Sequence, residues 1–160
     1  YAQSLCSGRD VLFLATARDQ GDLEWRARIA RHRAERPPGW RTVEAPLDLA
    51  KALGSVNESE VVVIDCLGLW VSNVMDERRS SVAAEVEAHL LAKLERSLDA
   101  LAGRDVVIVS NEVGSATVPA HPVARSFRDL LGFANQAVAR RAERVVLLVA
   151  GLPMVLKDAR

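Results

Sequence analysis

The chain has 160 residues, of which 49% are apolar and 26% charged, with 21 Lys plus Arg balanced by 21 Asp plus Glu. A net charge of zero gives no reason to expect a nucleic-acid or membrane-surface binder, and a chain of this length makes one domain that buries about 70% of its unfolded surface. No apolar run approaches the roughly 18 residues of a membrane span, YAQSLCSGRD lacks the basic-then-apolar order of a signal peptide, and two cysteines are too few for a disulfide framework.

A cytoplasmic protein with both thiols reduced is therefore expected, Cys66 being a small buried apolar residue. The opening YAQSLC reads as the middle of a helix leading into a first strand, VLFLA (11 to 15). A helical segment follows at about 22 to 35, then alternating strand-like character around Trp40 to Val43, and a short helix at 47 to 54. VVVID (61 to 65), VVIVS (106 to 110) and VVLLVAG (145 to 151) are further β-branched runs with hardly a polar residue inside them, as suits strands covered on both faces. Helical spacing recurs from 68 to 102, with a break near Arg78 to Ser81, and from 122 to 142. Strands alternating with helices imply βαβ crossovers and a three-layer, mostly parallel sheet with helices on both faces. No repeat, low-complexity tract or linker divides the chain.

In open sheets of this kind ligands bind beyond the carboxyl ends of the strands. Each run ends there on polar residues: Thr16, Asp65, and Ser110, Asn111 and Glu112. An acidic residue closing an apolar strand, as Asp65 does, resembles the Walker B arrangement, in which a carboxylate holds Mg²⁺ beside nucleotide phosphates. A plainer reading makes Asp65 the cap of a helix starting at Leu67. The expected companion, a G-x-x-x-x-G-K-[ST] phosphate loop, is absent, since none of the nine glycines is followed by Lys. A parallel sheet that begins on a helix is expected to have lost the strand before it.

The segment from Arg26 to Arg36 gathers five arginines around His32 and runs into Pro37 and Pro38. On a helix, Arg28, His32 and either Glu35 or Arg36 share one face, and Pro37 stops the helix close to it. Arginine-rich helix faces are more often solvated surface. His89 and His121 are expected at the surface, and Trp25, Trp40 and Trp70 in the core or in subunit contacts.

Taken together, FLATA (13 to 17), the pattern E-x-R-x-R-I-x-R-H-R-x-x-R-P-x-x-W-x-T-V-E (24 to 44), VIDCLGLWVSN ending at Asn73, VSNEVG (109 to 114), VP (118, 119), AR-x-FRDLLG-x-x-NQ (124 to 136) and VAGLP-x-x-LK (149 to 157) resemble the bifunctional adenosylcobinamide kinase / adenosylcobinamide-phosphate guanylyltransferase family. The resemblance spans essentially the whole chain. It implies a P-loop-NTPase-like (RecA-like) single domain. Family members carry a strand and a GGxRSGKS loop just before the position of Tyr1, so these 160 residues alone are expected to lack the kinase half of the activity.

By the same resemblance, adenosylcobinamide is phosphorylated and then receives GMP from GTP through a covalent histidine–GMP intermediate at His32. The guanidiniums around the imidazole would neutralise the triphosphate and the charge developing on its oxygens, and histidine is the side chain that can be neutral for attack near neutral pH and still release the nucleotide. The implied nucleotide contacts are Ala15, Thr16, Ala17, Arg33, Ala34, Glu35, Arg36, Glu44 and Asp65. Glu44 could accept hydrogen bonds from guanine N1–H and its amino group, a donor pair that adenine lacks; Asp65 could serve guanine or Mg²⁺ equally well. The ligands implied are GTP, ATP, Mg²⁺ and the corrinoid, in a homotrimer. Two departures stand out: many relatives carry Glu at the position of Asp65, and SATVPAHP after VSNEVG differs from the run usual there. Two other readings stay open. One is a P-loop-type small-molecule kinase or NTPase without guanylyl transfer, the other a non-catalytic nucleotide-binding subunit.

Overall fold

A computed structural model describes every residue except 1–5, 7, 20, 55, 58 and 160. In chain order the elements are β1 (Val11–Ala15), α1 (Leu23–Ala34), β2 (Arg41–Glu44), α2 (Leu49–Leu53), β3 (Val61–Asp65), α3 (Leu67–Glu77), α4 (Ala83–Ala100), β4 (Val106–Val109), α5 (Pro122–Arg141), β5 (Arg144–Val149) and β6 (Leu152–Asp158). Local chemistry sets several of the boundaries. Asp22 caps α1 by accepting the Glu24 N–H at 2.9 Å, and Asp48 caps α2 through the Lys51 N–H at 3.0 Å. Pro122 opens α5, where its missing N–H costs nothing.

Four strands form a parallel sheet in the order β2-β1-β3-β4. Because side chains alternate along a strand, the sheet has two different faces. Leu12, Leu14, Val62 and Ile64 meet α2 to α5, where Leu49, Trp70, Val74, Leu90, Leu94 and Leu131 complete the main core. Val11, Phe13, Val61 and Val63 point the other way, into a smaller cluster with Cys6, Trp40 and Val107. This is the mostly parallel, helix-flanked single domain of a P-loop-NTPase-like fold.

Three features differ from the sequence reading. The run at 145 to 151, expected to be like the other three, pairs instead with β6 in a separate antiparallel hairpin, and β6 itself was not anticipated. Cys66 is partly exposed rather than buried; both cysteines are free. Trp25, expected in the core or a subunit contact, is only partly buried, on the helix α1 that buries none of its residues. The helical reading of YAQSLC falls on residues 1–5, outside the described residues. Among the described residues no helix is long and apolar enough to cross a membrane.

Candidate active site at the strand tips

The chain leaves β1 to build β2 on one side and then crosses to build β3 on the other. The carboxyl ends of β1 and β3 thus flank a topological switch point, the place where open parallel sheets hold ligands. Glu44 pairs with Ala15, and Ala15 with Asp65. Residues in register project to the same face, so Glu44, Ala15 and Asp65 form a row on the side of Phe13 and Val63. Two strand spacings separate the carboxylate-bearing positions, roughly 10 Å. The N-cap of α3 is Cys66 and makes no side-chain cap bond, so the row is not explained by Asp65 capping the helix.

Arg36 comes down onto this face from the end of α1. The helix stops at Ala34, the Glu35 N–H still bonds the Arg31 carbonyl, and Arg36 turns onto the sheet before Pro37. Its guanidinium carbon lies 3.9 Å from the Phe13 ring centroid, and the ring is itself packed at 6.0 Å against Trp40. Its Nη1 donates to Thr42 Oγ1 at 3.1 Å. Its Nε is shielded from solvent and has no hydrogen-bond partner among the described residues. Burial lowers the Arg36 pKa from the usual arginine value, and the negative charge of Asp65 acts in the opposite direction. A half-buried guanidinium with an unpartnered donor has the chemistry to bind an anion.

The other basic residues of the segment behave differently. Arg26 is tied to Asp19 at 2.8 Å, and Asp19 is held below its ordinary pKa, first by the Gly21 N–H and then by Arg26. Arg28, Arg31, Arg33, Ala34 and Glu35 stand exposed on or just past α1. His32 is also exposed, with 57% of its side-chain surface accessible, and its Nδ1 lies 3.9 Å from Glu35 Oε2. The structure therefore brings together Ala15, Arg36, Glu44 and Asp65; His32 sits one helical turn before Arg36 on a solvated face.

Thr16 is fully buried. Its Oγ1 donates to the Cys66 carbonyl at 2.8 Å and accepts the Cys66 N–H at 2.9 Å; its own N–H bonds the Asp65 carbonyl at 3.2 Å. Of the predicted contacts it is the one whose polar atoms all turn inward. Beyond β4, Glu112 braces its own loop by accepting the Gly114 N–H at 2.5 Å. Asn111 lies against α3, where a Cβ on Gly68 would come within 2.6 Å of its Oδ1.

No cluster of three His, Cys, Asp or Glu side chains occurs among the described residues; Mg²⁺, which keeps several waters and takes one or two carboxylates with substrate phosphates, asks no more of the protein than a carboxylate such as Asp65. Two open grooves lie elsewhere. One of about 380 Å³ runs between the Gly114–Val118 loop and α5, and one of about 370 Å³ lies beside Arg9 and Pro38. Neither is lined by His32, Glu44 or Asp65.

Sequence reasoning quoted Asn73 but gave it no role. It is a buried polar residue on α3 whose amide reaches the loops after β1 and β2. The signal available was a poor helix former inside a mostly apolar stretch, LWVSNV.

The profile of the family described as cobinamide kinase / cobinamide phosphate guanyltransferase matches residues 1–156. The bifunctional adenosylcobalamin biosynthesis protein CobP of Pseudomonas aeruginosa is 44% identical over 155 residues, covering 94% of this chain and 84% of that protein. The bifunctional adenosylcobalamin biosynthesis proteins CobU of Escherichia coli and Salmonella typhimurium are 35% and 32% identical, each over 92% of this chain and 86% of the relative. With the profile spanning nearly every residue and the relatives matched over most of their own length, this chain belongs to the cobinamide kinase / cobinamide phosphate guanyltransferase family.

Proposed function

We propose that the chain binds GTP over the Glu44–Ala15–Asp65 row and transfers GMP to adenosylcobinamide phosphate through a covalent adduct on His32. The observation that carries this reading is the Arg36 guanidinium, half-buried over Phe13 with an unpartnered Nε beside two carboxylate-bearing strand ends. Arg36 meets the phosphates; Glu44 accepts from the guanine N1–H and amino group, leaving ATP with unpaired polar groups; Asp65 is the residue that would hold Mg²⁺, which when bound would offset phosphate charge.

In the first step Nε2 attacks the α-phosphorus, the bond from that phosphorus to the bridging oxygen breaks, and pyrophosphate leaves. In the second, a phosphate oxygen of adenosylcobinamide phosphate attacks the same phosphorus, the P–N bond breaks, and neutral His32 returns. The exposed arginines of α1 lower the cost of bringing a polyanion to the imidazole. The kinase step on adenosylcobinamide, with ATP or GTP as donor, belongs to the same reading and is expected only where a phosphate loop is supplied, since no glycine here precedes a lysine. We place the enzyme in the cytoplasm as a homotrimer.

The test is labelling of the full-length protein with α-³²P-GTP. The expected result is one acid-labile, base-stable label on the parent protein and none on His32→Ala. Equal labelling of the variant, or no label on the parent, would remove the histidine mechanism.

A further inference from the structure

The segments leaving β1, β2 and β3 each follow a residue of the carboxylate row, and two buried side chains tie all three together. Asn73 of α3 is 5% exposed. Its Nδ2 donates one hydrogen to the Thr16 carbonyl at 2.8 Å and the other to the Pro46 carbonyl at 3.0 Å. Thr16, 0% exposed, passes the connection on through its hydroxyl, which both donates to and accepts from the Cys66 backbone. Pro46 stands two residues after Glu44; Cys66 stands next to Asp65.

The chemistry of this junction is specific. Two carbonyl oxygens on different loops converge on one side-chain nitrogen, which only a primary amide or a cation of similar reach could satisfy. Thr16 is needed as a hydroxyl, because the Cys66 backbone presents it with an acceptor and a donor at once. Neither side chain faces solvent, so neither is placed to touch a ligand directly. What they tie to one another are the segments that follow Ala15, Glu44 and Asp65. Supporting groups of this kind, bonded to the residues that bear a site, commonly carry tenfold or greater effects when removed.

We propose that Asn73, with Thr16 as its relay, is a positioning residue that sets how the segments leaving β1, β2 and β3 sit at the ends of the Glu44–Ala15–Asp65 row, and through them both the affinity for guanine nucleotide and the preference for guanine over adenine. This rests on the reading that nucleotide binds over that row.

The test measures GTP and ATP dissociation constants by calorimetry on the full-length protein. Asn73→Asp keeps the shape and turns the two donors into acceptors facing carbonyls, and Thr16→Val removes the relay at constant volume. Each is expected to weaken GTP binding by about tenfold or more and to bring the GTP to ATP ratio toward one. Thr16→Ser, which retains the hydroxyl, is expected to keep the parent's preference. A residue that only held the fold together would lower the melting temperature and leave that ratio unmoved. Folded Asn73→Asp or Thr16→Val with the parent's ratio overturns the proposal; should Asn73→Asp fail to fold, Thr16→Val decides alone. If the parent binds GTP but takes no label on His32, only the histidine mechanism is lost. If the parent binds no GTP, both readings go.

Discussion

Arg36 concentrates the physics of the site in one side chain. Its stacking on Phe13 and its bond to Thr42 hold a charge where burial disfavours it, an arrangement that becomes favourable when an anion arrives. Arg36→Ala is expected to weaken GTP binding about 10- to 100-fold, as loss of a charge-assisted hydrogen bond worth roughly 1.5–3 kcal/mol predicts. Arg36→Lys keeps the charge but not the planar face or the fork of donors, so calorimetry should show it recovering only part of the loss. At this scale the place of Asp65 was legible, because a carboxylate closing the all-apolar run VVVI is visible in the string itself; Glu44 closes the polar, half-buried strand RTVE and was reached only through the family resemblance. Asn73 was not, because its partners lie 57 and 27 residues away and are backbone carbonyls, which carry no sequence signature. Nor could the string tell that Arg36 would leave the helix and lie on Phe13 while Arg26 would pair with Asp19.

The helices divide into those that hold the sheet and one that rests on the surface. α3 presents Leu67, Trp70, Val71 and Val74 to the core, a stripe at helical spacing, and Trp70 is fully buried with its Nε1 donating to the Leu47 carbonyl at 3.0 Å. Trp70→Phe would leave a void and strand that carbonyl; a loss of roughly 2–4 kcal/mol is expected in urea unfolding, with the slope unchanged. α1, by contrast, contributes a bond from the Trp25 Nε1 to the Arg18 carbonyl and no buried residue. Its polarity and solvated face were readable from the arginines; the partial exposure of Trp25 was not, since a tryptophan at a helix start reads as core. The hairpin was missed for a related reason. β5 and β6 are joined at Ala150 and Gly151 with φ of 51° and 78°, the two left-handed residues of a tight hairpin turn. Alanine at the first of these conceals a turn that asparagine or aspartate would have announced, and continuous apolar character in VVLLV hid the absence of a buried face.

Seen whole, the molecule is unevenly covered. The main core closes one face of the parallel sheet, while the hairpin leaves Leu148, Leu152, Met154 and Leu156 more than half exposed. Apolar surface gathered on one projecting element marks association. Sedimentation velocity of this 160-residue chain should reveal concentration-dependent self-association, and Leu152→Lys with Leu156→Lys should shift the population toward the monomer; an unchanged distribution would assign that surface another use. The alternation of apolar runs and helical segments made the parallel architecture legible, whereas which strands would join one sheet depended on edges that no string displays. One consequence of the pairing Glu44–Ala15–Asp65 reaches beyond the residues themselves. Because neighbours along a strand face opposite ways, a single residue inserted between Trp40 and Glu44 would swing the Glu44 carboxylate to the side lined by helices and send an apolar side chain out in its stead. Chain length in that short stretch is therefore a sterner constraint than the identity of its side chains: an odd-numbered insertion or deletion there would carry the carboxylate to the opposite side of the sheet.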